Sequence, residues 1–65
     1  MKYFKVDYRT TTYPKDRVSV VVATDDDRDG GYVYNRLQSE IPHLREIYKV
    51  EVYIGITKPE IDLSR

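Results

Sequence analysis

From Tyr3 to Arg9 the chain alternates, with Phe4, Val6 and Tyr8 on one side and Tyr3, Lys5, Asp7 and Arg9 on the other, the period of a half-buried strand. A second run, Arg17 to Ala23, puts Val18, Val20 and Val22 on its inner side. Between them, Thr10 to Asp16 holds Tyr13, Pro14, Lys15 and Asp16, which suit a hairpin connection longer than the tightest type. The period then changes. Gly30, Val33, Tyr34, Leu37 and Ile41 gather within about 100° at 3.6 residues per turn, predicting an amphipathic helix from Asp29 to Ile41. Gly30 in that stripe lets the helix backbone approach the sheet closely. Pro42 stops the helix, because the residue before a proline is driven out of the helical region. The last run, Arg45 to Thr57, sets Tyr48, Val50, Val52, Ile54 and Ile56 against Lys49, Glu51 and Tyr53.

These elements predict an α+β fold of ββαβ type: a three-stranded antiparallel or mixed sheet, spatial order 2-1-3, with one helix on one face. Residues 1–57 make a single domain and residues 58–65 a short C-terminal tail that either folds back or stays flexible. The uncovered face carries Tyr3, Lys5, Arg9, Val21, Ile47, Lys49 and Tyr53. Such an aromatic and basic sheet face serves to stack bases, to bind a protein or to pair two copies.

Composition narrows the choice. A chain of 65 residues buries only about 60% of its unfolded surface, so its stability is marginal and a second copy would enlarge its core. The absence of cysteine excludes disulfides, thiolate zinc sites and thiol nucleophiles, and favours a cytoplasmic setting. No apolar run reaches the roughly 20 residues of a membrane span, and the N-terminus lacks the apolar region of a signal peptide, so the chain reads as soluble and complete, with no membrane partner. Eleven basic side chains balance eleven acidic ones, whereas a duplex binder needs a strongly basic face; nucleic acid is therefore not the favoured partner. Seven tyrosines in so short a chain point to an interface.

The segment Thr24-Asp25-Asp26-Asp27-Arg28-Asp29-Gly30 invites three readings. As a helix start, Thr24 caps, Asp27 takes the capping-box position and the other acids complement the helix dipole. But on a helix begun at Asp25, Asp26 and Asp27 would lie beside the apolar stripe, which moves the start of the regular helix to near Asp29 and leaves the preceding acids in a loop. As a calcium loop, Asp25, Asp27, Asp29 and Gly30 give the first half of an EF-hand, but Val33 and Arg36 stand where the later ligands belong. Thirdly, the valine run followed by Asp25-Asp26-Asp27 resembles the DxD motif of Toprim domains. That resemblance implies Asp25 and Asp27 as magnesium ligands, Asp29 as a third acid, and nucleic-acid processing as the activity. A Toprim site also needs a glutamate on an earlier strand, and no glutamate precedes Glu40.

Other chemistry is sparse. His43 stands alone after Pro42, and Ser19, Ser39 and Ser64 have no base at a fitting place, which argues against a nucleophilic enzyme. Tyr53 to Thr57 echoes half of a GIY-YIG nuclease signature without its other half, and Gly55 there marks a bulge or a close contact. In layout the whole chain resembles small bacteriophage ββαβ proteins, which implies a non-enzymatic role in binding a host protein. The expected contacts are Tyr3, Lys5, Arg9, Val21, Ile47, Lys49 and Tyr53, with Tyr32 and the acidic loop as a second region, no cofactor, and a homodimer. Single-stranded nucleic acid on the open face and the Toprim-like metal site are the alternatives.

Overall fold

A computed structural model of the chain describes residues 1–11, 17–55 and 58–64. Five elements follow in order: β1 (Lys2–Thr10), β2 (Val18–Thr24), α1 (Gly30–Glu40), β3 (Leu44–Val52) and β4 (Ile61–Asp62). The expected hairpin turn at 12–16 and the expected strand residue Ile56 lie outside the described residues, as do Thr57 and Arg65. The class is α+β, but the sheet has four strands rather than three, in the order β3-β1-β2-β4. β1 runs antiparallel to both neighbours, and β4 runs parallel to β2 with Ile61 opposite Val22.

The fourth strand comes from the segment expected to be a tail. Glu60 donates its N–H to the Val21 carbonyl at 2.9 Å and Leu63 donates to that of Ala23 at 2.7 Å. Leu63 itself is buried in the main core. Two strand residues carry almost no pattern of their own; burial of one leucine, worth about 1.5–3 kcal/mol, accounts for the docking.

The helix covers one face. Phe4 and Val6 of β1, Val20 and Val22 of β2, Val33 and Leu37 of α1, with Ile41 and Leu63, close into one core. Tyr34, expected in the stripe, is exposed instead. A Cβ built on Gly30 would meet Val50 Cγ1 at 3.6 Å and Phe4 Cε2 at 3.8 Å, so this residue does face the sheet, but at a distance that an alanine also tolerates. After α1, Ile41 donates its N–H to the Leu37 carbonyl at 3.1 Å, and His43 turns the chain with a φ of 58°. The carbonyl of His43 then accepts the Thr11 N–H at 2.8 Å, which ties the far end of β1 to the start of β3.

β3 departs furthest from simple alternation. Asp7 lies opposite Lys49 while Tyr8 lies opposite Ile47, and Arg9 lies opposite Glu46 while Thr10 lies opposite Leu44. Tyr48 and Arg45 are therefore the extra residues of two β-bulges, each of which reverses the faces of everything before it. Ile47, expected on the open face, sits opposite Tyr8 and packs on the core with Leu44 and Val50. Tyr48, expected inward, lies on the open face beside Arg9 and Arg17. β3 also stops at Val52 rather than Thr57, leaving Ile54 95% exposed.

Candidate functional site

On the face opposite the helix, β1 presents Tyr3, Lys5, Asp7 and Arg9, and three of these meet opposite charge on β3 at Cα register: Lys5 with Glu51, Asp7 with Lys49, Arg9 with Glu46. Asp7 also accepts a hydrogen bond from the Ser19 hydroxyl of β2, and Lys49 Nζ stands 3.3 Å from Glu51 Oε2. Pairs of this kind contribute roughly 0.2–1 kcal/mol each where they make contact. The middle of the face is thus a lattice of alternating charge with no net sign.

One end of that face is closed. Val21 and Ala23 lie on it, opposite Lys5 and Tyr3, yet Val21 is 9% exposed and Ala23 fully buried. β3 and β4 occupy opposite edges and point the same way, so the chain must return across the sheet between them. Right-handed crossovers put such a return opposite the helix, and the burial of Val21 and Ala23 agrees. At this end Tyr53 donates its N–H to the Tyr3 carbonyl at 2.9 Å. Its ring occupies the space over Gly55, where an added Cβ would stand 2.5 Å from Tyr53 Cζ; that is the close contact expected of this glycine. Tyr3 and Tyr53 are consequently half-buried, and Val21 forms floor rather than contact surface.

The bulged end holds a different set of groups, among them the exposed Arg17 and Arg45 and the half-buried Arg9 and Tyr48. The Arg17 guanidinium lies 4.1 Å from the Tyr48 ring centroid and that of Arg9 lies 6.0 Å away. Beside them, Arg9, Thr10, Thr11 and Arg45 line a cavity of about 240 Å³. Thr11 is fixed at its rim, since both its N–H and its hydroxyl donate to the His43 carbonyl, at 2.8 and 3.4 Å. Arg9 Nε is closed off from solvent with no hydrogen-bond acceptor. Among the described residues no carboxylate comes within 4.0 Å of Arg9, Arg17 or Arg45; Glu46, though opposite Arg9, forms no ion pair with it. Among the described residues three cations stand against one nearby anion at this corner, in a chain of zero net charge.

Tyr32 belongs elsewhere. It sits on α1 with the Arg28 guanidinium 4.5 Å from its ring, and its hydroxyl accepts from Arg36 Nη1 at 2.6 Å. Arg36 also donates to Glu40 at 2.9 Å; that bond, and then the one to Tyr32, hold its guanidinium above its ordinary pKa.

The acidic loop is dispersed among separate tasks. Asp29, not Thr24, caps the helix: its Oδ1 accepts the Tyr32 N–H at 2.9 Å. The Asp25 carbonyl accepts the Arg28 N–H at 3.1 Å, closing a turn, and Lys2 Nζ donates to the Arg28 carbonyl at 3.0 Å. Asp26 pairs with the N-terminal ammonium at 2.8 Å, and this hydrogen bond and charge hold its carboxyl below the usual carboxylate range. Asp27 stands 3.9 Å from Arg28 Nε. Among the described residues, no three acidic or histidine side chains converge as metal ligands would. Thr24 remains in β2 opposite Lys2, fully buried, with its hydroxyl unpartnered.

Of the residues that alternation singled out, Tyr3, Lys5, Arg9, Lys49 and Tyr53 share the open face, while Ile47, Val21 and Tyr32 do not contribute exposed contact there. Arg17, Arg45 and Tyr48 were not among the expected contacts. The signal that betrays them is the spacing Leu44, Ile47, Val50: intervals of three cannot share one face of a regular strand, so bulges must intervene. No protein-family model, curated protein or solved structure matches this chain.

Proposed function

We propose that this chain is a non-enzymatic binding module that recognises a protein partner, a host protein if the chain is phage-encoded, through the open end of its sheet face. The observation that supports this most is the cluster of Tyr48 with Arg9, Arg17 and Arg45, whose guanidinium groups have no carboxylate partner among the described residues. Tyrosine and arginine are the residues most enriched among those that dominate binding energy, because each offers large contact area and directed donors together. A standard interface takes about 800 Å² per partner, roughly a sixth of this chain's 4567 Å², so the footprint extends from the cluster over the charge lattice. The balanced lattice argues against a nucleic-acid track, which needs one positive charge after another.

The same reading includes a homodimer built through the outer edge of β3, unpaired in the sheet. A two-fold axis through Val50 would set Lys49 of each copy opposite Glu51 of the other, a self-complementary arrangement. Exposed Val52 and Ile54 lie at the end of that edge.

The test is capture of a partner by the immobilised chain, with partner affinity then measured for Tyr48→Ala and Arg17→Ala. Each is expected to weaken binding by about tenfold or more. Unchanged affinity in both would dismiss this face. Light scattering reads the dimer: doubled mass for the native chain and single mass for Glu51→Lys, which sets like charges across the axis at an exposed position, whereas a native monomer removes the edge pairing.

A further inference from the structure

We infer that the cavity between β1 and the twice-bulged β3, lined by Arg9, Thr10, Thr11 and Arg45, is a binding site for a phosphate monoester, presented by a phosphorylated serine or threonine of the partner. The source of the phosphate rests on the reading of the chain as a protein-binding module; the site itself does not.

Size argues first. A cavity of about 240 Å³ is smaller than the pockets of roughly 300–1,000 Å³ that take drug-sized or cofactor-sized ligands, and suits one tetrahedral oxyanion with a few waters. Donor chemistry argues second. Two guanidinium groups from adjacent strands border the space, and arginine presents its N–H groups in a fork that matches phosphate oxygens. Arg9 Nε is a buried cationic donor for which no described residue supplies an acceptor. Such a group is destabilising unless something accepts its hydrogen bond. Among the described residues its neighbours are Arg17, Arg45, Glu46, a tyrosine ring and threonines, none of which accepts from it, and an anion in the cavity toward which the Arg9 side chain turns satisfies it.

Charge selects the kind of anion. Among the described residues, Arg9, Arg17 and Arg45 less Glu46 leave a surplus of two positive charges, and a phosphate monoester carries about −1.5 to −2 at neutral pH. A phosphodiester carries half of that, and the neutral lattice beyond the cavity offers nothing to the next phosphate of a strand. The bulge at Arg45 has a purpose in this account. By inserting one residue opposite the Arg9–Thr10 step, it brings a second guanidinium to the cavity that Arg9 lines.

The experiment is a titration of the full chain with inorganic phosphate at constant ionic strength, read by NMR at the amides of Thr10, Thr11 and Arg45 and at the Arg9 Nε–H. Saturable shifts confined to these groups are expected, lost in Arg45→Ala and weakened about tenfold or more in Arg9→Lys, which keeps the charge but not the fork. Amide dispersion of each variant verifies that it is folded. Shifts that chloride reproduces at the same ionic strength would overturn the site. A capped phosphoserine peptide is expected to bind about tenfold or more tighter than its unphosphorylated form. An oligothymidylate without terminal phosphate that outcompetes it would overturn the monoester assignment in favour of a nucleic acid. Because the phosphate titration involves no partner protein, saturable binding without any captured protein defeats only the proposed function, and a captured partner with no phosphate response defeats only this inference.

Discussion

The Arg17 guanidinium rests 4.1 Å from the Tyr48 ring centroid although β1 lies between β2, which Arg17 precedes, and β3, which holds Tyr48. Arg17 immediately precedes Val18, the partner of Tyr8, and Tyr48 is the residue that the first bulge adds opposite the Asp7–Tyr8 step. Without that bulge Tyr48 would point into the core and Arg17 would reach across β1 to nothing aromatic. A contact of this type contributes about 0.5–1 kcal/mol at an exposed site, too little to dictate the bulge. What dictates it is the burial of Leu44, Ile47 and Val50 together on the helix side.

Thr24 is buried with an unsatisfied hydroxyl. Replacing Thr24 by valine keeps the shape and removes the orphaned group, so Thr24→Val is expected to raise stability by about 1 kcal/mol in urea unfolding. A loss of stability would mean that the hydroxyl has a partner in solution.

Leu63 and Ile54 are both apolar residues outside long elements, but Leu63 is 2% exposed and Ile54 is 95% exposed. Leu63→Ala is expected to cost roughly 2–4 kcal/mol, a large share of what a domain this small has, while Ile54→Ser stays within about 0.5 kcal/mol. Equal effects would show that β4 does not complete the core.

His43 holds a φ of 58° without being glycine. That backbone region costs a side-chain-bearing residue about 1–2 kcal/mol, of which glycine's greater unfolded freedom returns part, so His43→Gly should stabilise by about 0.5–1 kcal/mol. A decrease in the urea midpoint would contradict the turn as described.

Asp26 titrates below the usual carboxylate range because the N-terminal ammonium donates to it and attracts it. A depressed native value means that its contribution is present above the unfolded pKa and is lost as pH falls through the folded one, in the acid region. Both groups are at the surface, so added salt should shrink the shift. Carbon-detected NMR titration is expected to find the Asp26 carboxyl low in the native chain and back at its ordinary value after acetylation of the terminal amine; an unmoved value removes the pair.

Much of the fold follows from local pattern. Alternation in β1 and β2 and the stripe Val33, Leu37, Ile41 identify these elements because each buries one face, and burial enforces period. β4 escaped because two residues display no period, and its anchor, Leu63, is a single side chain. The helix start was legible as a choice between Thr24 and Asp29; pairing of Thr24 with Lys2 extends β2 and leaves Asp29 to cap. On β3 the even-odd reading fails where Tyr48 and Arg45 are inserted, and with it the assignment of Ile47 and Tyr48 to faces. The candidate site was half legible for the same reason: Tyr3, Lys5, Arg9, Lys49 and Tyr53 follow from unbroken alternation, whereas Arg45 and Tyr48 depend on bulges and Arg17 on how far a long side chain reaches.

The arginine–tyrosine cluster, the cavity and the proposed partner contact all depend on the two bulges, and so on which way Tyr48 faces. An isotope-edited NOE spectrum of the Tyr48 ring decides it. Cross-peaks to the side chains of Arg17 and Arg9, with Ile47 methyls meeting the core instead, are the predicted result. Cross-peaks from the Tyr48 ring to Val6 or Leu37 methyls would contradict it.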